Sequence, residues 1–127
     1  MNKKNLIIFF GGKSVEHDVS IITGAQAVQN ADPQKYNIVP VYLSQNGEFH
    51  VAEKNPDMEE FFRKIFTLKK QVTINVSTRE LIFEKSLNFI NKKIKIDVAF
   101  PTFHGTYGEY GSFQGLLESK GKTKVEV

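Results

Sequence analysis

Leu6-Ile7-Ile8-Phe9-Phe10-Gly11-Gly12-Lys13-Ser14-Val15-Glu16-His17-Asp18-Val19-Ser20-Ile21-Ile22 is the stretch that decides the fold. A continuous apolar run comes first, then a glycine pair, then a run with helical spacing. That order predicts strand, turn and helix. The strand is apolar throughout rather than alternating, which predicts a parallel strand buried on both faces over residues 5–10. Paired glycines let the chain turn sharply and come close to a ligand. The first turn of the following helix, expected over residues 18–30, offers free N–H groups to an anion. Asp18 or Ser20 could cap it. In an open α/β sheet, ligands bind just beyond the carboxyl ends of the strands, so the Gly11–Gly12 turn is a candidate site.

Two phosphate loops can be tested against this turn, and both fail. Gly12-Lys13-Ser14 resembles the end of a P-loop, but Ile7 stands where that motif needs glycine. The dinucleotide fingerprint needs glycine two places after Gly11 or Gly12, and Lys13 and Ser14 stand there. Glu16 is then the chemically notable residue, a carboxylate at the strand–helix switch. Taken alone it is a solvated loop glutamate.

A second stretch repeats the grammar. Val98-Ala99-Phe100-Pro101 reads as a strand, and Thr102-Phe103-His104-Gly105-Thr106-Tyr107-Gly108-Glu109-Tyr110-Gly111 as a His- and Gly-rich loop. Ser112 to Ser119 reads as a helix stopped by Gly121. Glycines at 105, 108, 111 and 115 are dense for a loop that only connects.

Together the two stretches resemble the amino-terminal domain of the D-alanine–D-alanine ligases, of the ATP-grasp fold. The matching residues are Gly11, Gly12, Ser14, Glu16, His17, Val19 and Ser20 in the first motif. The second runs from His104-Gly105 through Gly108-Glu109 and Gly111 to Gln114-Gly115-Leu116-Leu117-Glu118. The resemblance covers the chain from Met1 to about Glu118. It implies a three-layer α/β/α pre-ATP-grasp, Rossmann-like domain with a mostly parallel sheet. It implies a reaction in which ATP activates one D-alanine as an acyl phosphate, which the amino group of a second then attacks. By that resemblance Glu16 is the catalytic and substrate-binding glutamate that holds the first D-alanine's amino group. His104 lies near the carboxylate end of that site, and Glu109 orients His104. Gly11, Gly12, Ser14, Gly105 and Gly108 form the two loops, and His17 braces the first. An ammonium in a closed site needs such a carboxylate, because a buried unpaired charge is costly. Without the resemblance, His104 could stabilise a tight loop and Glu109 could cap the helix near Ser112.

Tyr110 stands where the family usually has aspartate, so the resemblance does not carry over the hydrogen bonding of that loop, though the motif stands. After Glu118 the family continues into two further domains that hold ATP and Mg. Here residues 119–127 end the chain, so those domains are expected to lie outside it, and residues 1–127 to form the substrate-side domain. No ATP, Mg or other metal is expected on this chain, and it is expected to be inactive alone. Family ligases are dimers that use this domain, which implies a homodimer. The competing readings are a stand-alone ligand-binding or dimerisation module derived from this domain, and a D-alanine–D-lactate or other ATP-grasp ligase.

Composition sets the outer bounds. The 127 residues suit one modest domain, with 40% hydrophobic and 24% charged residues. Eleven phenylalanines and no tryptophan mean that Phe supplies the aromatic core. The absence of cysteine excludes disulfides and thiolate metal sites. No run is long enough for a signal or spanning segment, so a cytoplasmic protein without a membrane partner is expected. The net charge of +3 comes from scattered lysines not interleaved with aromatics, which reads as solvated surface rather than a nucleic-acid platform.

Between the motifs, Tyr36 to Leu43 reads as a strand with Pro40 at an edge or bulge. Asn46-Gly47 signals a hairpin returning through Phe49-His50-Val51, with His50 exposed. Residues 57–68 read as a helix with Met58, Phe62, Ile65 and Phe66 on its core side. Val72 to Val76 and Leu81 to Phe83 read as strands paired across residues 77–80. Residues 84–95 carry no periodicity that assigns them. If residues 5–10 and 98–101 are neighbours, Glu16 and His104 should lie on one sheet edge, within about 12 Å, which is two strand spacings plus side-chain reach.

Overall fold

The structure, a computed structural model, describes residues 3–12, 17–52, 60, 63, 70–84, 92–102 and 124–125. Its first strand, β1, is Lys4–Gly11, followed by helix α1, His17–Asn30. Strands β2, Tyr36–Leu43, and β3, Phe49–Val51, come next. Then follow β4, Gln71–Asn75, β5, Glu80–Phe83, β6, Lys93–Lys95, β7, Val98–Pro101, and β8, Lys124–Val125. All eight strands join one sheet in the order β6-β5-β4-β3-β2-β1-β7-β8.

β1, an inner strand, is apolar because it is buried on both faces. Ile7 and Phe9 belong to a core cluster with Val41, Val72, Leu81 and Ala99 on one side of the sheet. Leu6, Ile8 and Phe10 pack on the other side with Ile21, Ala25 and Val28 of α1. The expected shared face of Ile21, Ala25 and Val28 is therefore the buried one, and Ile22 beside it is 42% exposed. Gly24 gives α1 its close approach, since a Cβ there would stand 2.5 Å from Phe10 Cβ.

Three pairings, β1 with β2, β1 with β7, and β7 with β8, are parallel. The four others, from β2 through β6, are antiparallel. The expectation of a mostly parallel sheet is thus corrected to a mixed sheet with an antiparallel majority. The Asn46–Gly47 hairpin forms as expected, with β3 antiparallel to β2. Its returning strand β3 is an inner strand that accepts β4 on its free side, and the β4–β5 hairpin extends the sheet outward. Of the three expected layers, α1 and the sheet are described. The helices expected over residues 57–68 and 112–119 lie outside the described residues, apart from Glu60 and Arg63, both helical.

Three local readings also change. Pro40 lies in an inner strand, opposite Ile8 of β1. Its carbonyl accepts from Ala52 N at 2.9 Å, one residue past the end of β3, so its missing N–H falls where the neighbouring strand stops. His50 is 15% exposed in its side chain, with Nε2 3.3 Å from Glu48 Oε2, because it stands opposite Tyr42 on the side of the sheet that Tyr42 helps bury. The unassigned lysine-rich segment yields β6, whose Ile94 packs on the core between Lys93 and Lys95. Lysines suit such an outermost strand, because charge discourages further pairing.

Candidate substrate-binding edge

β1, β2 and β7 run parallel, so their carboxyl ends open on one edge. β1 and β7 are direct neighbours, with Leu6 opposite Val98 and Phe9 opposite Pro101. The expected adjacency of the two motif strands is met. The chain toward Glu16 therefore leaves β1 at Gly11–Gly12, and the chain toward His104 leaves β7 at Thr102, at the same edge.

The glycine pair does what its sequence predicts. Gly11 has φ +94° and Gly12 φ +102°, values that disfavour any side chain. A Cβ on Gly11 would stand 2.4 Å from the Leu43 carbonyl and 2.8 Å from the Tyr42 ring. Gly12 N–H donates to Leu43 O at 2.8 Å, which holds the turn against the end of β2. On that neighbouring end, Ser44 N–H donates to Glu48 O at 2.8 Å and closes the turn around Gly47.

Ser20 does not cap α1. The helix begins at His17, so Asp18 and Ser20 lie inside its first turns. Ser20, fully buried, accepts from Gly11 N–H at 2.9 Å and donates to Thr102 O at 2.8 Å. Thr102, 5% exposed, returns the link through its N–H at 2.8 Å and its hydroxyl at 2.9 Å, both to Phe9 O. One buried polar node therefore joins the ends of β1 and β7 to α1. The sequence reading assigned Thr102 no role. The available signal was a hydroxyl residue at the end of a buried strand, where backbone groups lose their ladder partners. Asp18 remains near the positive end of the helix, where a carboxylate is favourable. Tyr42, whose ring packs 5.7 Å from Phe10, has its phenol pKa raised above 10.0 by burial and then by the Asp18 charge.

Gly11 and Gly12 are the predicted site residues that fall among the described ones. Ser14, Glu16, Gly105, His104, Gly108 and Glu109 lie outside them, as does the expected 12 Å approach. Among the described residues no three His, Cys, Asp or Glu are grouped to hold a metal ion, and no helix is long and apolar enough to cross a membrane.

The model of the D-ala D-ala ligase N-terminus family matches residues 5–124. The chain belongs to that family. It is 42% identical over 117 residues to the D-alanine--D-alanine ligase of Thermosipho melanesiensis, covering 90% of this chain and 31% of that protein. It is 37% identical over 129 residues to the ligase of the same name from Chloroherpeton thalassium, covering 93% of this chain and 33% of that one. Among solved structures, VanG D-Ala:D-Ser ligase from Enterococcus faecalis superposes with a TM-score of 0.76 at 27% identity. That match takes in 98% of this chain and 35% of VanG. The D-alanine-D-alanine ligase from Coxiella burnetii superposes with a TM-score of 0.68 at 28% identity, over 93% of this chain and 33% of its own. The chain thus spans about a third of the length of the relatives it matches. Within that family's amino-terminal region, the described part of the chain supplies an edge where β1 and β7 end side by side.

Proposed function

We propose that residues 1–127 form the substrate-side domain of an ATP-dependent ligase that joins two D-alanines into the dipeptide used for peptidoglycan, acting in the cytoplasm. The family match supports this reading, and the side-by-side start of the two motif loops at one sheet edge carries it. Glu16 takes the ammonium of the first D-alanine, paired so that the buried charge is tolerated. His104 faces its carboxylate, and Glu109 orients the imidazole by accepting one ring N–H. The described residues do not fit ATP or Mg, having neither familiar phosphate loop nor a grouped ligand set. Both are assigned to the parts of the ligase beyond this third, and no step here runs through them. The domain also contributes to a homodimer, which sedimentation of the purified chain at high concentration would show, and monomer alone would contradict.

The likeness to VanG, a D-Ala:D-Ser ligase, keeps the second substrate open to test. The protein encoded by the whole reading frame should be supplied with Mg-ATP and D-alanine, D-serine or D-lactate, with L-alanine as control. D-alanyl-D-alanine as the main product is expected. No product with any D-substrate would overturn the reading.

A further inference from the structure

In a parallel ladder the rung after Thr102 N–H to Phe9 O would run from Gly11 N–H to Thr102 O. Ser20 Oγ stands in that rung instead, accepting from Gly11 N–H at 2.9 Å and donating to Thr102 O at 2.8 Å. One hydroxyl therefore parts β1 from β7 at their carboxyl ends, and ties α1 to both. Thr102 Oγ1 doubles the last regular rung by donating to Phe9 O at 2.9 Å.

We propose that Ser20 and Thr102 are positioning residues, whose hydroxyls lock the roots of the Glu16 and His104 loops to one another and so hold the D-alanine wall in register. Ser20 follows Glu16 by four residues on α1, and Thr102 precedes His104 by two. A shift in either root moves a loop that carries a substrate contact. Both hydroxyls are buried among backbone groups: that of Ser20 satisfies Gly11 N–H and Thr102 O, which the strands leave without a ladder partner, and that of Thr102 gives Phe9 O a second donor. An apolar side chain at position 20 would leave Gly11 N–H and Thr102 O unpaired, and one at position 102 would remove the second tie to Phe9 O. The substrate part of this inference rests on the D-alanine reading; the locking of one loop to the other does not.

Two measurements separate these parts. In the first, amide resonances of the 127-residue chain are compared among wild type, Ser20→Ala, Thr102→Val and Thr102→Ser. Thr102→Val is expected to shift the amides of residues 12–16, and Ser20→Ala those of residues 103–106. Thr102→Ser, which keeps the hydroxyl, should leave residues 12–16 near their wild-type positions. Shifts confined to the mutated loop would overturn the lock, whatever the enzyme does. In the second, the same variants are made in the whole reading-frame protein. Ser20→Ala and Thr102→Val are each expected to raise the KM for the first D-alanine by about tenfold. The KM for Mg-ATP should stay unchanged, and Thr102→Ser should restore wild-type values. Unchanged D-alanine KM with only a lowered Tm would reduce both residues to packing and overturn the proposal. If Ser20→Ala does not fold, the Thr102→Val and Thr102→Ser pair decides alone. A wild-type protein without D-alanine activity would defeat the ligase reading, and the resonance comparison would still decide the lock.

Discussion

Tyr42 shows how one residue of the edge is set by its surroundings. Its ring packs on Phe10 and lies against Gly11, so burial raises its pKa, and the nearby Asp18 charge raises it further. The neutral phenol is thus favoured in the folded state. The folded chain then holds its proton at pH values where the unfolded chain, with the usual tyrosine value near 10.0, releases it. Stability from this group is full below pH 10.0 and falls as pH rises from there through the higher folded value. Urea unfolding of Tyr42→Phe between pH 9 and 11 is expected to fall less steeply with pH than that of wild type. Parallel curves would show that Tyr42 does not contribute. Its place was only partly legible, because the sequence predicts the strand but not that the preceding helix α1 brings an aspartate to its end.

Among the elements, α1 and β1 depend most on one contact. Glycine inside a helix ordinarily costs about 1 kcal/mol against alanine, so Gly24→Ala by propensity alone would stabilise. The Cβ would stand 2.5 Å from Phe10 Cβ, backed by a strand buried on both faces, and the helix must shift. Overpacking of this kind costs about 1–3 kcal/mol and should outweigh the propensity gain. Gly24→Ala is therefore expected to lower Tm, and a raised Tm would mean that α1 slides freely on the sheet. β1, α1, β2 and β7 were legible because each is a continuous apolar run or a helical stripe bounded by Gly or Pro. The β4–β5 hairpin was legible from its two β-rich runs. The antiparallel majority was not, because pairing partners of short strands are set by distant residues. β3 to β6 are three to five residues long and carry too little pattern to name their neighbours. β8 has two residues and no pattern of its own.

At the scale of the molecule, the sheet divides the labour. Its parallel part brings the Gly11–Gly12 and Thr102 loop roots to one edge, while the antiparallel strands widen the apolar support behind them. Gly11 and Gly12 were legible because positive φ favours glycine. The Ser20–Thr102 node was not, because it joins residues 82 positions apart. With neither familiar phosphate loop matched at the Gly11–Gly12 turn, calorimetry of the 127 residues with Mg-ATP is expected to show no micromolar binding, and a clear micromolar isotherm would contradict the assignment of ATP elsewhere. The central claim is that the two loops hold D-alanine through Glu16. Its most direct measurement is the kcat/KM for D-alanine of Glu16→Gln in the whole reading-frame protein. Leaving a buried ammonium without its carboxylate costs about 3–5 kcal/mol, so a loss of about 100-fold or more is expected, with the KM for Mg-ATP unchanged. A kcat/KM within about twofold of wild type, well under 1 kcal/mol, would contradict the claim.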